Sequence, residues 1–283
     1  MRILVTGAGG QLGTDLQLGA GRHEIIAATS STLDVGDRDQ ALAAITSTAP
    51  DLVIHAAAWT AVDACESDPE RAFRVNAFGC RNVAEGARLA GAHLVAVSTD
   101  YVFDGHKDDP YTEWDRTEPE SVYGRSKLAG EREVRSELPG AAVVRTSWVC
   151  GAHGSNMVKT ILRLSEGDRT LQFVDDQRGC PTFTDDLAAM LIALGVSRRP
   201  GTFHVTNQGP TTWFQFARDT LASAGRDPAR VSPITTQQLD PPRPAPRPPN
   251  SVLDNAALRM SGIPLLPDHH EALERTVRAL TTA

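Results

Sequence analysis

The chain has 283 residues, 41% of them hydrophobic and 22% charged, with a formal net charge of −7. This composition describes an ordinary globular protein, long enough for one large or two small domains. The acidic balance argues against a broad nucleic-acid-binding surface, and no stretch reaches the ~18 apolar residues of a membrane span. Cys65, Cys80, Cys150 and Cys180 form no Cys-x-x-Cys pair and have no histidine at zinc spacing beside them. They are expected to be free thiols in a reducing compartment, and no metal site is expected. The opening apolar run is too short for a signal peptide, so the expected location is the cytoplasm.

In chain order, Ile3-Leu4-Val5 reads as a buried strand before a glycine turn, and Leu12 to Leu18 begins a helix. Residues 24–28 form a second strand, and Asp37 can cap a helix running to about Ser47. Further strands are expected at 52–55, 93–98 and 142–145, with helices over 69–90 and 123–138 between them. Alternation of this kind gives an α/β fold with a Rossmann-like, doubly wound parallel sheet. After about Ser147 the pattern loosens. Helices are expected over 156–165, 186–194 and 213–222, and a strand at 203–205. The proline-rich run 241–249 reads as a stiff linker whose two arginines leave an anion-binding role open. Residues 251–280 read as two short helices around Gly262-Ile263-Pro264.

Two motifs carry chemistry. Gly7-x-x-Gly10-x-x-Gly13 follows a strand and opens a helix, the context in which a turn approaches a pyrophosphate and helix N–H groups bind it. Tyr123 and Lys127 lie four apart, hence on one face of a helix. A phenol and an ammonium so placed can share one task. Lys127 lowers the phenol's pKa and can hold a ribose hydroxyl, while Tyr123 trades a proton with a carbonyl or alcohol. A Tyr-x-x-x-Lys alone is common on solvated helices; downstream of a dinucleotide turn it gains meaning.

The glycine spacing and Tyr-x-x-x-Lys together resemble the extended short-chain dehydrogenase/reductase superfamily. Further segments are 56–63 (Ala-Ala-Ala-Trp-Thr-Ala-Val-Asp), 98–105 (Ser-Thr-Asp-Tyr-Val-Phe-Asp-Gly), 145–149, 175–182 and 247–251. In this order they look like the dTDP-4-dehydrorhamnose reductase family, over residues 1 to about 280. The resemblance implies an NAD(P)H-dependent oxidoreductase that reduces the C4 ketone of dTDP-4-dehydro-L-rhamnose or a close relative. It implies a catalytic trio of Thr99, Tyr123 and Lys127. Gly7, Gly10, Gln11, Leu12 and Gly13 would meet the cofactor pyrophosphate, Asp34 and Val35 the adenine, and Ala57, Ala58 and Val97 the rest of the cofactor cleft, with Tyr123 and Lys127 at the nicotinamide end. Asp100, Trp148, Arg247 and Asn250 would join Thr99 on the nucleotide-sugar side. The implied domains are an NAD(P)-binding domain over 1–147 and a smaller C-terminal substrate lobe over 148–283, the chain returning to the sheet near 180–205. The implied partner is a dTDP-sugar, with no nucleic acid or membrane; a homodimer is compatible with the family.

Other readings of single residues stay open: Asp34 as a turn or helix cap, Asp100 as a loop stabiliser, Trp148 as core packing, Arg247 as a solvated linker residue. Lone histidines such as His153 and His204 read as structural. The family often has Tyr or His where Trp59 stands and Tyr where Cys150 stands, departures expected to alter the sugar fit. The second strand ends in Thr29, Ser30 and Ser31, with no acid to grip an adenosine ribose and no arginine immediately after. NADPH is therefore the expected cofactor, with NADH also accepted. A dehydratase would carry an Asp-Glu pair where this chain has Asp100-Tyr101, so reduction is preferred over dehydration or epimerisation. Thr99, Tyr123 and Lys127 together argue against a non-catalytic regulatory subunit.

Overall fold

The computed structural model describes residues 1–282. Its centre is a six-stranded, all-parallel sheet. The first five strands are β1 (Arg2–Thr6), β2 (Glu24–Ala28), β3 (Leu52–His55), β4 (His93–Thr99) and β5 (Ala142–Thr146). Helices α1 (Gln11–Leu18), α2 (Arg38–Thr48), α3 (Val62–Ser67), α4 (Pro69–Phe73), α5 (Gly79–Ala90) and α6 (Val122–Glu137) lie between them. The rest of the chain adds short strands β6 (Val149–Cys150), β7 (Leu171–Val174), β8 (Arg178–Gly179) and β9 (Thr182–Phe183). Then come β10 (Gly201–His204), β11 (Thr211–Thr212) and β12 (Val231–Ile234). The remaining helices are α7 (Met157–Leu164), α8 (Thr184–Val196), α9 (Trp213–Ser223), α10 (Ala256–Met260) and α11 (His269–Thr281). Among the described residues no helix is long and apolar enough to cross a membrane.

The sheet runs β10-β5-β4-β3-β1-β2, so the chain leaves β1 on one side to make β2 and returns on the other to make β3. Ligands of open parallel sheets bind at such a reversal, beyond the carboxyl ends of the strands. Both faces are covered, and the side-chain period of two divides the apolar residues between them. Ile3, Val5, Leu52, Ile54, Val95 and Val144 pack on one face with α1 and α8. Leu4, Val53, Leu94 and Val143 pack on the other with α2, α5 and α6. A separate cluster, with Phe183, Phe216 and Leu273 among its members, joins α7, α9 and α11.

The expected helix over 69–90 is interrupted. Residues Arg74–Phe78 form a π turn between α4 and α5, which places Asn76 so that its amide donates to Trp59 O (3.1 Å) and Ser126 Oγ (3.0 Å). The proline-rich run is exposed over Pro241–Pro244 but anchored after that. Ala245 is buried, and Pro248 packs so closely on Gly105, whose φ is +84°, that a Cβ there would lie 2.5 Å from its side chain.

Candidate active site

Register brings the site together. Thr6 pairs with His55, so the glycine turn after β1 and the Ala56-Ala57-Ala58 segment after β3 lie side by side. Thr99 pairs with Thr146, so β4 and β5 stop level and deliver Thr99 beside the segment that leads to Trp148. Between these ends runs a cleft in two parts. A cavity of ≈ 440 Å³ is lined by Gln11, Leu12, Gly13, Val97, Thr99, Asp100, Tyr123, Lys127 and Trp148, among others. A second of ≈ 550 Å³ is lined by Ser30, Asp34, Val35, Ala57 and Trp59, with Arg71 and Arg74. Gly7, Gly10, Ala56 and Ala58 line both.

The glycine turn fits a pyrophosphate. Gly7 sits at φ +73°, and a Cβ there would lie 2.7 Å from Ala57 N. A Cβ on Gly13 would collide with Gly7 O and Ala8 Cα, so only glycine lets the helix start so close to the strand. The N-cap Gly10 has no side chain to satisfy the first turn of α1, which leaves its N–H groups for an anion.

Helix α6 begins where Ser121 Oγ accepts from Gly124 N (3.0 Å), and Glu66 Oε1 accepts from Val122 N (2.7 Å). This fixes Tyr123 in the first turn, buried, its ring edge-on to Tyr101 with centroids 5.5 Å apart. Burial pushes the Tyr123 phenol above its ordinary value, and the neighbouring Thr99 hydroxyl acts against that rise. Lys127 is also buried, and its Nζ donates to Val97 O at 2.7 Å. The expectation that Lys127 lowers the phenol's pKa is therefore corrected: burial dominates, and the ammonium is committed to a carbonyl. Its charge acts instead on His55, which burial and Lys127 together lower to about 3. A phenol held protonated suits a proton donor better than a base.

Thr99 Oγ1 donates to Asp100 Oδ1 (2.9 Å), while Asp100 Oδ2 is buried with no partner. Burial pushes the Asp100 carboxyl up to about 6, against the hydrogen bond from Thr99. The folded protein therefore holds this proton more readily than the unfolded chain does. The charged form costs stability fully above about pH 6, and the cost fades towards the unfolded value of 3.8. Asp100→Asn is expected to be more stable than the parent by ~3 kcal/mol at about pH 7.5, with the gap closing near pH 4. Urea melts at the two pH values check this; a gap independent of pH would contradict it.

Trp148 lines the sugar side of the cleft and adopts φ +45°. Its indole stacks on Trp213 at 3.6 Å and lies against Gly179, where a Cβ would collide with it. Trp213, which also lines the cavity, was not legible as a site residue, because its partner is 65 positions away in sequence. Arg71 and Arg74 were missed too; their signal is the i, i+3 spacing on one helix face. Arg74 Nη1 meets Asp34 Oδ2 at 2.8 Å, and that guanidinium holds the Asp34 carboxyl below its ordinary value. Arg71 stands 4.5 Å over the Trp59 ring.

Arg247 and Asn250 lie outside the lining of both cavities. Arg247 forks onto Asp63 at 2.6 and 2.9 Å, so it is not a solvated linker residue. Asn250 donates to Lys107 O at 2.7 Å and accepts from Val252 N, fastening two loops. Cys150, expected near the sugar, is buried in the C-terminal core cluster, and Trp59 stands on the Arg71 side of the cleft.

A family model described as RmlD substrate binding domain matches residues 1–282. The chain is 43% identical over 289 residues to the dTDP-4-dehydrorhamnose reductase of Mycolicibacterium smegmatis, covering 100% of this chain and 86% of that one. Among solved structures it is similar to the dTDP-4-dehydrorhamnose reductase of Clostridium acetobutylicum, with TM-score 0.95, 39% identity and coverage of 99% and 100%. It is also similar to the Bacillus anthracis enzyme of that name crystallised in complex with NADP, with TM-score 0.93, 37% identity and coverage of 97% and 98%.

Proposed function

The chain belongs to the dTDP-4-dehydrorhamnose reductase family, and from that premise we propose that it reduces the C4 ketone of dTDP-4-dehydro-L-rhamnose to give dTDP-L-rhamnose, with NADPH as reductant. The observation that carries this reading is the buried group of Thr99, Tyr123 and Lys127 in the same cleft as a glycine turn with an uncapped helix start. When bound, the cofactor supplies hydride to C4. Thr99 and Tyr123 hold the ketone oxygen, and Tyr123 gives it a proton. Lys127, one helical turn along and held against Val97 O, faces the nicotinamide ribose. Asp100 and Trp148 position the sugar, and Arg247 and Asn250 act on the same side through the loops they fasten. In this division residues 1–147 hold the cofactor and the later segment mainly forms the sugar-nucleotide side. The four cysteines, all free and buried, suit a cytoplasmic location.

The cofactor choice has a local cause. The cavity that Ser30 lines also carries two guanidinium groups and one carboxylate, so a 2′-phosphate meets net positive charge there. Asp34 already engages Arg74, which keeps the preference for NADPH over NADH modest. Arg74→Met is expected to weaken NADPH binding roughly tenfold or more while changing NADH binding much less. Fluorescence titration with both cofactors and with 2′-AMP checks it; equal weakening of all three would show that Arg74 does not meet the 2′-phosphate. The function itself is tested by NADPH oxidation in the presence of the dTDP-sugar, one cofactor consumed per sugar reduced. Binding of both molecules without oxidation would remove the reading.

A further inference from the structure

Away from the cleft, α11 opens with two adjacent histidines, His269 and His270, set against Asp219 of α9. One ligand atom from each of the three lies within 4.8 Å of the others, and the two imidazole centroids are 4.0 Å apart. The hydrogen bonds identify the free nitrogens. His269 Nδ1 is 3.1 Å from the carbonyl oxygen of Gln208, an acceptor that requires the proton there. In the neutral ring Nε2 then carries the lone pair, and it is buried with no partner. His270 Nδ1 is 2.8 Å from Asp268 Oδ1, again an acceptor that requires a proton. That leaves His270 Nε2 3.4 Å from Asp219 Oδ2. This carboxylate oxygen is itself buried without a hydrogen bond, while Asp219 Oδ1 accepts from Gln215 Nε2 at 2.7 Å.

Two buried, unsatisfied acceptors, His269 Nε2 and Asp219 Oδ2, therefore belong to one cluster with His270 Nε2. Orphaned buried polar atoms of this kind carry a desolvation cost that nothing offsets. Protonating His270 supplies one donor to Asp219 and leaves His269 Nε2 orphaned. A divalent cation satisfies all three at once. We propose that Asp219, His269 and His270 form a zinc-type metal site that clasps α9 to the start of α11.

Two imidazoles and one carboxylate suit Zn²⁺ or Co²⁺ rather than Mg²⁺. The carbonyl–histidine and carboxylate–histidine contacts are the outer-shell pattern that orients such ligands. Bonds of ~2.0–2.1 Å bring tetrahedral ligand atoms to about 3.3 Å apart, so the cluster must contract slightly. The half-exposed His270 ring can make that movement and leaves the fourth position open to water. The positive end of α11 opposes a cation, and the charges of Asp219 and Asp268 offset it. Asp219 lies on the helix whose first residue is Trp213, so the clasp would steady the Trp148–Trp213 stack.

The test is titration of the untagged full-length protein with Zn²⁺, and with Co²⁺ as an optical probe, alongside thermal melts. One ion per chain, a Co²⁺ spectrum of tetrahedral nitrogen–oxygen coordination and a higher Tm with Zn²⁺ but not Mg²⁺ are expected. His270→Ala, an exposed substitution, should weaken binding roughly 100-fold or more, and Asp268→Asn, which keeps a helix cap, roughly 10-fold or more. Asp219→Asn is the isosteric control and should remove the Tm increase. Absence of saturable binding, or an equal Zn²⁺ response in His270→Ala and the parent, would overturn the proposal.

Discussion

Tyr123→Phe is expected to fold normally, bind NADPH as the parent does, and lose roughly 10²-fold or more in kcat. The variant keeps the ring, its edge-on contact with Tyr101 and its burial, and removes one hydroxyl. The missing group is the proton donor in the proposed reduction, so the loss falls on kcat rather than on KM for the sugar nucleotide. The phenylalanine ring has no proton to give at any pH, so lowering the pH should not restore the rate. Steady-state kinetics with a parallel cofactor titration check this. Turnover within threefold of the parent would exclude Tyr123 as the donor.

Arg145→Leu is expected to destabilise the protein by about 3 kcal/mol, because it leaves the buried Glu131 carboxylate with only Ser98 and the half-exposed Arg135 as partners. Arg145 forks onto Glu131 with two bonds of 2.8 Å, and the two side chains are only 4% and 1% exposed. Ser98 Oγ also donates to Glu131 at 2.6 Å. Burial alone would push the Glu131 carboxyl up; Arg145, Ser98 and Arg135 together outweigh it and hold the group below its ordinary value. The pair joins β4, β5 and α6, the elements that carry Thr99, Tyr123 and Lys127. In the parent this bridge contributes stability above the unfolded carboxyl value and loses it as the pH falls through the folded one. In the variant Glu131 can take a proton, so the gap should narrow at acid pH. Glu131→Leu with Arg145→Leu should recover much of the loss. Urea denaturation of the three proteins decides, and a single-variant loss below about 1 kcal/mol would contradict the account.

The sheet was legible because β1, β3, β4 and β5 are apolar runs buried on both faces, and the glycine turn marks where the first one ends. Thr99, Tyr123, Lys127 and Gly7 were legible as motif residues whose spacing already states a geometry. Long-range pairings were not. Arg247 finds Asp63 across 184 positions, and β8 and β11 are two-residue pairings with no periodicity to read. The π turn at Arg74–Phe78 leaves no composition signal, yet it sets the position of Asn76. Arg71 and Arg74 were not legible because the sequence signal of a phosphate clamp is an arginine directly after β2, whereas these two lie in the helical segment after β3.

The central claim is hydride transfer to C4 of a dTDP-4-keto-6-deoxy-sugar. The most direct measurement is NMR of the product formed from dTDP-4-dehydro-L-rhamnose and NADPH deuterated at nicotinamide C4. The account predicts dTDP-L-rhamnose with deuterium at sugar C4 and one NADPH oxidised per molecule formed. An altered sugar without deuterium at C4, or without net NADPH oxidation, would contradict it and point to epimerisation or dehydration instead.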